Sequence, residues 1–484
     1  MVSRYNAMQY KWKGVMHMHN MFKKESVENF VRADAGLKRT LTAKDLIGLG
    51  VGAVVGTGIF ILPGHEAASH AGPAVALAFL FAAILAGVVG MAYAEFSSAM
   101  PVAGSAYSFG SVVYGEIIGW ILGWGLILEY FLAVSAEATG FASYFNNNIL
   151  AAIGFNIPKV LQNGPMQGGI VNITGVVITL LVGLLALMGT NFSKKIENFA
   201  VLVKIGIILL FIVVGVFYIK SSNYVPFYPK QFHTTPFGLG GISTAAATVF
   251  FAFMGFDALA SNSAETINPN KNMAKGILGT VLIAAVLYVG FSLVLTGMVH
   301  YSLLNVDDPA ALAFSMVHLN FMNKAITIGA LFGIFTAMVT MVIGSSRLVY
   351  SLGRDGLISK KMGKINYKTG IPTSAVWLAV IIQAIFAGIV PLTQLVSLIN
   401  AGTLVAFTFI SFGIIPLRHR KDIKNTGYKM PLYPYLPILA GLMSIYFIIM
   451  LPNVTKIAVV GWLAIGIVIY FVYGIHHSRL QNEE

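Results

Sequence analysis

From about residue 43 onward, long apolar runs alternate with short polar stretches. Each run is close to the roughly 20 residues that a helix needs to cross the hydrocarbon core. Twelve such runs are present, centred near residues 53, 85, 130, 180, 208, 252, 288, 339, 382, 405, 443 and 466. They predict an all-α integral membrane protein with 12 transmembrane helices. The longest loops, near 147–169, 220–239 and 300–324, are too short to fold as soluble domains.

Two runs break their own pattern. Residues 51–64 read VGAVVGTGIFILPG, with Gly52, Gly56, Gly58, Gly64 and Pro63 in what should be a spanning helix. Residues 250–265 read FFAFMGFDALASNSAE, with Gly255, Asp257 and a polar run. Glycine and proline are the residues a helix tolerates least. Non-helical backbone at membrane depth survives only where protein buries it or it lines a cavity. The sixth run comes five crossings after the first, an odd offset, so the second copy is inverted relative to the first. Interrupted spans at matching places in two inverted halves point to a secondary transporter's binding site. The expected architecture is a five-plus-five inverted repeat with broken helices 1 and 6, plus two extra helices. The transport core is placed at 43–416, with halves of about 43–219 and 240–416. Helices 11 and 12 follow at 435–475. An amino-terminal segment of residues 1–42 precedes the core, and a short tail of residues 476–484 ends the chain.

An unwound Gly56-Thr57-Gly58 would free N–H groups at the start of the next half-helix, where an anion such as a carboxylate binds. Glycine there lets a ligand approach the backbone. Gly48, Gly52 and Gly56 also form a GxxxGxxxG ridge of the kind that lets helices touch. Both roles are expected, the ridge ending where the break begins.

Composition sharpens the class. The chain has 484 residues, 57% hydrophobic and 10% charged, where a soluble domain carries about 25% charged residues. It has no cysteine, which excludes disulfides and thiolate metal sites. The net charge of +13 is a topology signal. When the loops are assigned to alternate sides, 24 of the 31 Lys and Arg fall on one side and five on the other. The positive-inside rule then puts both termini in the cytoplasm of a cell-membrane protein. Nucleic-acid binding is not expected. The amino terminus lacks the apolar core and cleavage site of a secretory signal. Residues 1–20 read as an over-long start, with Met21 a plausible true beginning.

GTGIFILPG, AYAEFSSAMPVAGSAYSF (92–109), WILGWGLILEYF (120–131), FFAFMGFDALASNSAETINPNKNM (250–273) and SRLVYSLGRDGLIS (346–359) resemble the amino acid–polyamine–organocation superfamily. Within it the chain is similar to bacterial members of the cationic amino acid transporter family. The resemblance runs from about residue 40 to residue 475. It implies a LeuT-like fold that moves amino acids by alternating access. It further implies a substrate site at Val54, Gly56, Thr57, Gly58, Phe251, Ala252, Met254 and Met341. The substrate carboxylate would sit on the Thr57 and Gly58 N–H groups and the Thr57 hydroxyl. The ammonium would meet carbonyls of Val54, Phe251 and Met254. Phe251 matches the aromatic that closes over substrate, against ordinary packing as the alternative. Met341 stands where relatives carrying basic amino acids have a small residue. It would shorten the pocket and favour small neutral amino acids, or simply pack the core.

Glu129, Glu137, Lys204 and Asp257 interrupt apolar runs, and a charge at bilayer depth costs at least about 2.5 kcal/mol. Lys204 either snorkels to the surface or, as the resemblance implies, supplies a fixed positive charge where sodium-coupled relatives hold a cation. Glu129 matches the family's glutamate and would be the proton-bearing acid. Asp257 either caps the second half-helix or takes part in coupling directly. Glu137 departs from the family pattern, where a small or neutral residue is usual. It is expected to pair elsewhere or to line the outer vestibule. Glu95 and Arg347 are expected at span ends, holding loops.

The leading expectation is therefore a secondary active amino acid transporter, taking up small neutral L-amino acids with protons. The alternatives are an exchanger or uptake system for cationic amino acids or polyamines and, from another class, a membrane sensor or channel. No HExxH, GxSxG or P-loop is present, so neither catalysis nor a metal or cofactor is expected. The expected partners are an amino acid, protons and the lipid bilayer. Whether a small membrane subunit joins them is left open.

Overall fold

The computed structural model describes residues 20–33, 39–188, 193–229, 237–366, 371–423 and 426–482. Most of the proposed over-long start lies outside them. The described residues are helical, with one isolated bridge between Leu41 and Thr266 and no strand. The main helices are α1 (Ala43–Val54), α2 (Val75–Ala99), α3 (Glu116–Tyr144), α4 (Ile173–Ala186), α5 (Ser193–Gly215) and α6 (Gly238–Val249). They continue with α7 (Pro269–Met298), α8 (Asn320–Arg354), α9 (Thr373–Ile389), α10 (Leu392–His419), α11 (Tyr435–Met450) and α12 (Asn453–Ile469). Among the described residues, eight helical stretches are long and apolar enough to cross a membrane. α4, α9 and α11 are shorter apolar helices.

α1 starts at a capping box. The Thr42 hydroxyl accepts from the Asp45 N–H, and the Asp45 carboxylate accepts from the Thr42 N–H at 2.8 Å, so two amides that the helix cannot pair are satisfied. α1 ends at Val54. Helical geometry resumes at Thr57–Phe60 and Leu62–Glu66, then loosens into a π turn at Ala67–Ala71. α6 ends at Val249, tightens into a 3₁₀ turn at Phe250–Phe253, and opens at Met254–Asp257. It then resumes as a 3₁₀ helix at Ala258–Glu265. Gly255 sits at φ +111° in that opening, a conformation that side-chain-bearing residues avoid. Both interruptions therefore fall where the glycine pattern predicts them.

α2 packs along α7, and α3 packs against α8, α9 and α10. α3 is the most enclosed long helix, whereas α12 is peripheral. The outer surface is apolar: Leu181 and Leu184 on α4, Leu282 and Val286 on α7, Leu442 and Ile449 on α11 and Val460 on α12 are exposed. A contiguous apolar exterior of this extent suits lipid as solvent.

The expected glycine ridge is not one seam. Nothing lies within 4 Å of a Cβ placed at Gly48, one at Gly52 would meet Val201 on α5 at 2.9 Å, and one at Gly56 would strike Glu137. The tight glycine of α1 is Gly50, whose Cβ would lie 2.7 Å from Leu259.

At one end of the bundle the chain's two described ends meet. Lys23 Nζ donates to the Leu480 carbonyl at 2.7 Å, and Gln481 Nε2 to the Asn20 carbonyl at 2.9 Å. The Ile117 N–H, at the start of α3, donates to the Met21 carbonyl at 3.0 Å. The Arg479 N–H donates to the Asp355 carbonyl, at the end of α8, at 2.9 Å. Ser478, Gln481 and Tyr470 all donate to the Glu116 carboxylate.

Candidate substrate site

The two interrupted helices touch at their breaks. A Cβ at Gly58 would lie 2.7 Å from the Ala252 Cα, so the two backbones are in van der Waals contact there. Val54, Gly56, Thr57, Gly58, Phe251, Ala252 and Met254 are all buried around this contact, and Met341 is buried on α8. Asn400 on α10 fixes the approach of α6. Its Nδ2 donates to the Ala247 and Thr248 carbonyls, in the last turn of α6, at 2.8 and 2.9 Å.

Lys204 is 1% exposed and does not snorkel. Its Nζ donates to the Gly52 carbonyl in the last turn of α1 at 2.7 Å. Its stem passes α8 at Gly333, where a Cβ would lie 3.3 Å from the Lys204 Cγ. A second side chain holds the same helix end: the Tyr288 hydroxyl, from α7, donates to the Val54 carbonyl at 3.0 Å. The Val54 carbonyl expected to meet an ammonium thus already accepts a hydrogen bond, and the Phe251 carbonyl accepts from the Met254 N–H at 3.1 Å.

Glu137 holds the place expected for the substrate carboxylate. Its Oε2 accepts from both the Thr57 N–H and the Thr57 hydroxyl at 2.8 Å. Gly56 makes room for this side chain, since a Cβ there would overlap its carboxylate. Gly140, one turn further along α3, makes room for Thr57, because a Cβ would strike the Thr57 side chain. Lys204 lies near enough for its charge to act on the Glu137 carboxylate. Of the two expectations for Glu137, pairing is the one seen, with Thr57 as its partner.

Glu129 lies two turns along α3, facing Asp257 and the Thr403 hydroxyl. The Gly255 N–H donates to Asp257 Oδ1 at 3.3 Å, so this carboxylate holds the second break rather than projecting away from it. Asp257's own carbonyl accepts from the Ser105 hydroxyl at 3.0 Å. Glu129 Oε2 and Asp257 Oδ2 are buried and have no hydrogen-bond partner among the described residues.

Glu95 and Arg347 lie away from this centre. Glu95 is buried and forms a bidentate pair with Arg418 at 2.8 and 2.7 Å, and Arg347 is exposed. Tyr288, Gly140, Thr403 and Asn400 were not among the residues the sequence singled out. Gly140 carried one signal, its spacing of three from an ionisable residue in a spanning run. The other three reach the breaks only through tertiary packing.

Residues 41–474 match the family model described as amino acid permease. The chain is 42% identical over 457 residues to the branched-chain amino acid permease BcaP of Lactococcus lactis, covering 93% of this chain and 98% of that protein. It is 40% identical over 469 residues to the methylthioribose transporter of Bacillus subtilis, covering 96% of this chain and all of that protein. It is 34% identical over 385 residues to the vacuolar cationic amino acid transporter 2 of Arabidopsis thaliana, covering 79% of this chain and 60% of that protein. With its apolar multi-helical body and its paired helix breaks, the chain belongs to the amino acid permease family and is a multi-pass secondary amino acid transporter.

Proposed function

We propose that this transporter takes up small neutral L-amino acids together with protons, binding them where the first and sixth spans break. The observation that carries this reading is the contact of Gly58 with Ala252 beside a buried lysine on the Gly52 carbonyl. Helix breaks that meet inside an apolar bundle expose paired backbone charges of both signs, which suit a zwitterion. The architecture is read as twelve crossings. The split first segment, six long apolar stretches after it, the three short apolar helices and two further long stretches supply them. Spans one to five and six to ten form the inverted halves. On this reading the protein lies in the cell membrane, both termini face the cytoplasm, and Phe251 and Met341 close and shorten the pocket.

Glu129 and Asp257 are assigned to coupling. Each has a buried oxygen without a donor, and one proton shared between them would supply it. Adding or removing that proton changes the charge of the breaks and biases one access state over the other. Lys204 holds the end of α1 in its binding shape. The test is alanine flux into proteoliposomes under an inward proton gradient, and under a sodium gradient alone. Glu129→Gln should flatten the pH dependence while keeping exchange, and Lys204→Ala should lose uptake. Uptake driven by sodium alone, with no response to pH, overturns the reading.

A second reading has one observation behind it. Methylthioribose, the compound named for the Bacillus subtilis relative, carries no carboxylate, and here Glu137 fills the place a substrate carboxylate would take.

A further inference from the structure

We infer that Glu137 extends the substrate range of this transporter to solutes without a carboxylate. These are small molecules with an apolar tail that present a hydroxyl donor where an amino acid has its acid group. The inference rests on the reading of the paired breaks as the solute site.

The Thr57 donors that the α1 break directs at a ligand's acid group, and two of its carbonyls, are already engaged from within the protein. The Thr57 amide and hydroxyl both donate to Glu137 Oε2. The Gly52 carbonyl is held by Lys204 and the Val54 carbonyl by Tyr288. Glu137 is 7% exposed, and its seat is built on both sides. Gly56 leaves the space for its carboxylate, and Gly140 leaves the space for Thr57. To reach the Thr57 donors, an arriving carboxylate must displace a buried, doubly hydrogen-bonded group of its own charge. Breaking such an arrangement is costly, because the displaced carboxylate loses its donors without regaining water.

A hydroxyl group meets the opposite situation. Both described hydrogen bonds to Glu137 end on Oε2, so Oε1, which packs against Gly56, remains an acceptor. A hydroxyl can donate to it and leave the Thr57 contacts in place. A site that holds its own carboxylate thus recognises the counterpart of an amino acid with the acid replaced by CH₂OH. An amino acid is accepted only in the minority of molecules where Glu137 has left Thr57. Its apparent affinity falls by that fraction.

The test compares leucine with leucinol, which share the ammonium and the isobutyl tail and differ only at the acid group. Thermal stabilisation of the full chain in detergent is titrated with each, and each is then tested for exchange in proteoliposomes. The wild type should respond to leucinol at about tenfold lower concentration than to leucine, a difference of about 1.4 kcal/mol. Glu137→Val should invert that order by freeing the Thr57 donors. Glu137→Gln, which keeps the shape and removes the charge, should bring the two ligands close together and guards against misfolding of the valine variant. A wild-type preference for leucine, or an order unchanged in both variants, overturns the inference. Phe251→Ala separates the two levels of the argument. If it leaves both responses intact, the site reading itself fails. If it weakens both while leucine remains preferred, only the present inference fails.

Discussion

A single glycine decides how closely the two breaks approach. A Cβ at Gly58 would lie 2.7 and 2.8 Å from the Ala252 Cα and Cβ, and 3.3 Å from its N. The leading obstacle is backbone, which cannot rotate aside as a side-chain tip can. Gly58→Ala should therefore push the sixth span away and cost about 1–3 kcal/mol, as overpacking usually does. The expected outcome is a lower Tm in detergent together with lost amino acid uptake. A variant with wild-type Tm and uptake would show that the breaks do not need this contact. The larger Gly58→Leu should unfold the break as well as block the ligand. Glu137 teaches a related lesson. Its sequence neighbours give no hint of Thr57, which lies 80 positions earlier. An ionisable residue in an apolar run announces that a partner exists, but the partner is chosen by packing.

At the scale of elements, α8 joins the parts of the site. It packs against α1, against the Thr57–Phe60 turn, against α3 and against α5. It also touches the Lys204 stem through Gly333 and carries the buried Met341. A long, flexible side chain on such a helix limits the volume available beyond the breaks. Met341→Ser should admit arginine or lysine in competition assays against labelled alanine. Efficient arginine transport by the wild type would refute a size limit at this position. The helical segments and both interruptions were legible in the sequence, because apolar run length and glycine clustering are local signals. Lys204 was legible only as an ionisable residue in an apolar run; that it turns inward to the Gly52 carbonyl rather than snorkelling is decided by packing. The glycine ridge was misread for the opposite reason. Spacing places Gly48, Gly52 and Gly56 on one helix face, but which neighbours meet that face depends on the whole bundle. The identity of the second half of the sixth span, a 3₁₀ rather than an α-helix, was likewise beyond a pattern of polar and apolar positions.

Across the whole molecule, polar ties at one end of the bundle hold helices that are distant in sequence. Arg418, at the end of α10, pairs through two nitrogens with Glu95 on α2 and donates to the Met430 carbonyl at 2.7 Å, and its guanidinium lies 4.3 Å from the centre of the Tyr433 ring. Glu95 is 1% exposed, so Arg418→Ala would strand a buried charge, at a cost of about 3–5 kcal/mol. The Tm should fall by several degrees, and Glu95→Gln in the same chain should restore part of it. An unchanged Tm in the single variant would mean that water replaces the guanidinium. The meeting of the two described ends has a practical side. Residues 20–23 are tied to the start of α3, and residues 478–481 to residues 20–23, to that same start through Glu116 and to the end of α8. A donor and an acceptor dye attached near Asn20 and Asn482 would therefore report whether these two segments stay clasped. Such a pair would turn the clasp into an optical gauge of its own release, read in real time and without a labelled solute.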